Sequence, residues 1–218
     1  MPADQVTREV FWNISYPGEL IFYALGILTL AIFGYGVSRN LKKVLRGKKT
    51  VVSWKEIRAS LMNTTTEILL NRTVARRHRL AGLMHLLIMW GFISLFIGTV
   101  IVSIEYDVFQ KLLRRSHGFW VGPFFLGYEL VLDTMGALFL VGLFVALLRR
   151  YGLKRPQLTW KLLDLLLPCW LLLIGLTGFV LEGMRLAATA TELAYSPYWS
   201  PVGLFFSKWW HAVDPSTV

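Results

Sequence analysis

Four long apolar runs govern what this chain can become. They cover roughly residues 20–38, 80–104, 123–148 and 162–181. Each reaches the about 20 residues that a helix needs to cross a hydrocarbon core. A bilayer interior offers no water to backbone N–H and C=O groups, so each crossing run must satisfy them internally, and a helix does so within one segment. The expected fold class is all-α, an integral membrane helical bundle with four transmembrane helices. The balance of 55% hydrophobic to 17% charged residues agrees with it.

The charges lie between the runs and read as topology signals. A formal net charge of +10 would suit nucleic acid only if it gathered on one polar face, and it does not, so no nucleic-acid partner is expected. Residues 39–79 hold twelve Lys/Arg against Glu56 and Glu67, and residues 149–161 hold five with no acid. Residues 105–122 carry three bases and two acids, and residues 184–218 only Arg185 and Lys208 as bases. By the positive-inside rule the two basic loops face the cytoplasm and both chain ends face outward. The acidic start "MPADQVTREVFWNISYPGE" lacks the basic n-region of a cleaved signal peptide.

Two further segments have a reading of their own. Within the cytoplasmic loop 39–79, Trp54, Ile57, Leu61 and Ile68 form one helical stripe, with Lys55, Glu56 and Arg58 off it. Such a helix can lie on anionic lipid or dock a cytoplasmic partner. The segment 184–218 is aromatic, broken by Pro197 and Pro201, and too short in its apolar part to span. It is expected as an outer interfacial tail.

His85 is the one histidine inside a span. It lies roughly 8 Å along the helix from Leu80, at about 1.5 Å per residue. Gly82 clears space on nearly the same face, and Gly91 and Gly98 let another helix approach a different one. Two readings stand: an axial haem ligand, hence a metal ligand, or a helix-to-helix hydrogen bond. His78 is seven residues earlier on the same face, but it belongs to the basic cluster "RRHRL" and reads more simply as a headgroup-level side chain. His117 and His211 fall in outer segments without a visible partner. Cys169 is the only cysteine, which excludes an internal disulfide and an iron–sulfur cluster, and it is expected as a small core residue.

Glu129 and Asp133 are four apart and share a face of the third run. Carboxylates at that depth can serve as proton groups of a quinone site, or as a buried hydrogen-bonding network between helices. Tyr128 adjoins them and can bond a quinone carbonyl. Glu182 and Arg185 are three apart and expected to pair, chiefly as structure. No phosphate-cradling loop, nucleophile constellation or inverted repeat is visible.

The stretches "GLMHLLIMWGFISLFIGTVI" (82–101), "YELVLDTMGALFLVGLFVALLRRY" (128–151) and "LLLIGLTGFVLEGMRLA" (171–187) resemble the membrane domain of nitrate reductase gamma-subunit-like cytochromes b. The likeness is greatest to forms joined to heterodisulfide-reductase-like iron–sulfur modules, and it covers nearly the whole chain. It implies b haem held through His85, electron transfer between menaquinone and a cytoplasmic iron–sulfur partner, and a place in a prokaryotic cytoplasmic membrane. The family also has a fifth helix with a second ligating histidine. That helix is missing here, and the expectation is a longer protein or a separate subunit that supplies it. The rival expectations are a non-redox membrane anchor or assembly subunit with a structural His85, and, last, a small-molecule transporter.

Overall fold

The computed structural model describes residues 6–11, 14–47, 53–70, 78–115, 118–152, 162–189 and 196–210, with side chains throughout except at 162–164, 196 and 197. Among them every regular element is helical. They fall into two compact units, Glu9–Met62 and Met1–Arg8 with Asn63–Val218.

The first unit holds α1, Tyr16–Leu45, whose 30 residues are apolar enough to cross a membrane. Pro17 stands in its first turn, where a missing N–H costs nothing, and Lys42 and Lys43 fall in the last turn, where cations favour the helix dipole. Helix α2, Trp54–Leu70, begins in this unit. Its start is capped by Glu56, which accepts the Ser53 N–H at 2.9 Å. Of the stripe, Trp54, Leu61 and Ile68 are exposed and Ile57 is half-buried.

The second unit holds the rest. Helix α3, Arg79–Ser103, is prolonged by wider π-type turns over Ile104–Leu112. Helix α4, Gly122–Leu147, likewise runs on through Leu148–Gly152. Helix α5, Leu162–Thr189, contains Pro168, and after a short 3₁₀ turn comes α6, Pro201–Ser207. With their extensions, three helices here are long and apolar enough to span a membrane, which makes four among the described residues. The segment 105–112, expected as loop, is therefore helical. Glu105 explains why it pays to continue: fully buried, its carboxylate accepts the N–H groups of Gly118 at 2.6 Å and Phe119 at 3.1 Å and ties the next loop down.

Helices α3 and α4 make the most extensive pairing, α5 packs on α4, and α6 packs on both α4 and α5. Small residues set the distance. A methyl group on Gly91 would fall 2.6 Å from Phe139 Cβ and 2.9 Å from the Met135 carbonyl oxygen, and one on Gly98 2.5 Å from Leu132 Cδ1. The helix expected to approach those glycines is α4. Cys169 corrects its expectation, being exposed on α5. An apolar side chain needs no core when its surroundings are lipid. The indole of Trp90 donates to the Leu69 carbonyl at 3.0 Å, tying the last turn of α2 to the middle of α3.

Overpacking a close helix contact costs about 1–3 kcal/mol. Gly91→Ala should lower the unfolding midpoint of the detergent-solubilised chain accordingly. Gly127→Ala, on the same helix pair but with nothing within 4 Å, should leave the midpoint unchanged or raise it slightly.

Candidate functional site

The N-terminal half of α4 and the C-terminal half of α5 lie side by side, and their ionisable residues meet there. Glu129 and Arg185 are joined at 2.8 Å across the two helices. The same guanidinium nitrogen, Nη2, reaches Glu182 at 2.6 Å, one turn back on α5. Glu182 in turn is 3.5 Å from Arg8 and accepts a hydrogen bond from Ser200 at 3.4 Å. Two acids and two bases thus alternate in one chain of contacts. A lone charge at such a place would carry a large desolvation cost, and the alternation offsets it.

Asp133 is also buried but has a different partner. Its two oxygens accept the N–H groups of Gly203 and Val202, each at 2.9 Å. These belong to the first turn of α6, whose leading N–H groups have no acceptor within the helix. The short helix is therefore held by a carboxylate of α4. Gly203 lets it settle, since a methyl group there would lie 2.9 Å from Glu182 Cγ. The 184–218 segment was expected at the interface. Within it, α6 packs against α4 and α5, with Gly203 and Ser207 buried and Phe206 stacked on Phe179 at 6.0 Å.

Arg8 arrives from the other end of the chain. Thr7 donates to the Trp120 carbonyl at 2.9 Å, and the Gly122 N–H, at a positive φ of 59°, donates to Val6 at 2.8 Å. These bonds set the Arg8 guanidinium 5.2 Å from the centre of the Trp120 ring. Tyr128 meets Trp120 edge-on and donates its hydroxyl to the Gly98 carbonyl at 3.1 Å. As a hydroxyl it can still accept a hydrogen bond.

Between these groups lies a cavity of about 280 Å³. Arg8, Tyr128, Glu129, Asp133, Glu182 and Ser200 line it on the polar side. Leu95, Leu132, Phe139, Ile174 and Phe179 form the apolar side, and Gly136, Gly175 and Gly178 leave the room. A ring-sized molecule with oxygen functions and an apolar tail suits such a lining. The structure thus brings together Tyr128, Glu129 and Asp133 and adds Glu182 and Arg185, read from sequence as structure. Arg8 and Ser200 were not anticipated at all.

His85 is not part of this cluster. Its exposed ring lines a second cavity, of about 360 Å³, with Met84, Ile88, Leu143, Leu147, Pro168 and Leu171, and with Arg149 and Arg150 at the rim. Among the described residues it has no hydrogen-bonding partner and no second ligand, and no group of three metal-binding side chains occurs. The imidazole fits haem as one axial donor only. His78 is exposed at the start of α3, with its carbonyl accepting the Gly82 N–H at 2.9 Å, and it does not share the cavity. His117 and His211 lie outside the described residues, as does the side chain of Asp164.

Removing one partner of a buried ion pair costs about 3–5 kcal/mol, because the other charge is stranded. Arg185→Met should destabilise the detergent-solubilised chain by roughly this amount in a denaturation titration. Adding Glu129→Gln and Glu182→Gln to Arg185→Met should recover part of the loss.

No family model matches the chain, the nitrate reductase gamma-like cytochromes b included, and no solved structure matches it. Among curated proteins it is similar to one named EtfAB:quinone oxidoreductase, from Syntrophomonas wolfei subsp. wolfei, at 28% identity over 218 residues. The likeness takes in 97% of this chain and 29% of that protein, so the chain spans less than a third of its relative's length.

Proposed function

We propose that this chain is the quinone-reactive membrane module of an electron-transferring oxidoreductase. The observation that carries the reading is the cavity between α4 and α5, with carboxylates and a tyrosine on one side and an apolar wall on the other. The name of the similar protein supports the quinone class. The headgroup would lie against Tyr128, Glu129 and Glu182, with the isoprenoid tail leaving past Phe139, Ile174 and Phe179. Glu129 would take or give the proton of a quinol hydroxyl. Asp133, with both oxygens engaged by α6, would hold the wall closed and keep water out.

The finer points belong to the same proposal. The membrane is a prokaryotic cytoplasmic membrane, with the basic loops inside and the cavity toward the outer face. The quinone is menaquinone, and a cytoplasmic iron–sulfur partner or fused module exchanges electrons with the chain. His85 would give one imidazole nitrogen to a b haem, which would supply one-electron transfer there, and the second ligand would come from outside the described residues. In the rival reading, an anchor subunit, the Glu129–Arg185 pair and the Asp133 clamp serve structure alone.

Two measurements separate these. A soluble menaquinone analogue should quench the tryptophan fluorescence of the purified chain, and Gly136→Leu, which fills the cavity beside Phe179, should weaken that binding tenfold or more, about 1.4 kcal/mol. Equal binding by both proteins would favour the anchor. His85→Ala in the full-length assembly should remove the b-type absorbance of the reduced protein while the chain still inserts. An unchanged spectrum would exclude His85 as a haem ligand and leave the quinone cavity standing.

A further inference from the structure

A quinone carbonyl oxygen only accepts hydrogen bonds, so a cavity that holds one must offer a donor. Few of the described lining residues can. Glu129, Asp133 and Glu182 are carboxylates and accept. The Tyr128 hydroxyl donates to the Gly98 carbonyl at 3.1 Å, and the Ser200 hydroxyl donates to Glu182 at 3.4 Å. Arg185, engaged with Glu129 and Glu182 through Nη2, is not among the lining residues. That leaves Arg8.

Arg8 lines the cavity and is its one cation among the described residues. Its contacts are an ion pair with Glu182 at 3.5 Å and the Trp120 ring, whose centre lies 5.2 Å from the guanidinium carbon. Neither exhausts the side chain. A guanidinium has five N–H donors, and among the described residues Arg8 makes no hydrogen bond with them. A stacked ring engages its face and leaves the N–H edge for an acceptor. The segment that carries it is fixed, since Val6 is buried, the Val6 carbonyl accepts from Gly122, and Thr7 donates to the Trp120 carbonyl. A donor held by its backbone and by a fully buried indole needs little reorganisation when a ligand arrives.

We infer that Arg8 is the hydrogen-bond donor that holds one carbonyl oxygen of the quinone, and that it gives the cavity a preference for ligands whose oxygen bears negative charge. The inference rests on the quinone reading of the cavity and deepens it. With three carboxylates on the wall, an oxygen that gains electron density finds a counter-charge at Arg8 alone among the described lining residues. A hydrogen bond between a guanidinium and a charged oxygen is roughly twice as strong as one between neutral groups. A guanidinium does not give up its proton, so Arg8 binds and orients without entering the exchange. Under the quinone reading Glu129 exchanges the proton at the other oxygen.

The test uses the full-length protein in detergent and two probes of matched shape. Menadione is neutral; lawsone, with a hydroxyl in place of its methyl group, is an anion at neutral pH. Both are titrated by quenching of tryptophan fluorescence, and the carbonyl stretch of bound menadione is read by infrared difference spectroscopy. Arg8→Met keeps an unbranched side chain but has no donor. It should weaken menadione binding about tenfold and lawsone binding about a hundredfold, and return the carbonyl stretch to that of an unbonded carbonyl. Arg8→Lys, which keeps a charge and a donor, should fall between parent and Arg8→Met. Adding Glu182→Gln to Arg8→Met removes the carboxylate that Arg8 leaves behind, and binding should stay weak. Parental binding of both probes by Arg8→Met would overturn the inference, as would full recovery in the double variant or a carbonyl band that Arg8→Met does not move. Menadione binding that Gly136→Leu does not disturb would instead overturn the quinone reading beneath it.

Discussion

Arg185 stands between two carboxylates inside a largely apolar bundle, and the second unit is arranged around that fact. A guanidinium so placed must be paired, so α4 and α5 are held together at the one register that brings Glu129 to it. Glu182 takes the same nitrogen and therefore needs further help, which comes from Arg8 and Ser200. Each of these belongs to a different segment, so one pairing requirement recruits both ends of the described chain. Arg8 and Arg185 against Glu129 and Glu182 leave no net charge, the condition under which such a group persists out of water.

The cavity comes from the same small residues that allow close packing elsewhere. On the α3–α4 seam, Gly91 and Gly98 are filled by the partner helix, and backbone meets side chain with no space left. Between α4 and α5, Gly178 has nothing within 4 Å, and methyl groups on Gly136 and Gly175 would meet only side chains, the Phe179 ring edge at 3.1 Å and the tip of Leu140 at 2.5 Å. The polar groups at the end of this gap then hold the helices apart on one side and together on the other. Void and ion cluster are two sides of one arrangement.

Much of this was legible in the sequence. The four apolar runs announced four long helices, because length and hydropathy are local properties of a chain. The pairing of Glu129 and Asp133 on one face followed from their spacing of four, as did the Glu182–Arg185 pair from a spacing of three. The sequence could not say that Glu129 would meet Arg185, 56 positions away, since nothing local encodes which helices become neighbours. Arg8 was invisible for the same reason: an arginine in a polar stretch gains meaning only when Thr7 and Val6 bind the loop at 120–122. How the tail at 196–207 is anchored was hidden, because the backbone N–H groups that Asp133 holds carry no residue signature. The width of the turns after Ser103 was equally hidden; Glu105 looked like the start of a loop and proved to be an anchor within a helix.

The Glu129–Arg185 pairing also bears on how the molecule is made. A ribosome delivers α4 before α5 and α6, so the translocon meets Glu129 and Asp133 before the partner of either has been synthesised. A carboxylate near the middle of an inserting helix costs about 2.5–3.5 kcal/mol on insertion scales, which the surrounding leucines and phenylalanines of α4 must outweigh. Only when α5 enters does Glu129 gain its counterion, and only when residues 201–203 emerge does Asp133 gain its two amides. Biogenesis thus passes through a species with acidic side chains facing lipid or the insertion machinery, and the later arrival of α5 and α6 resolves it.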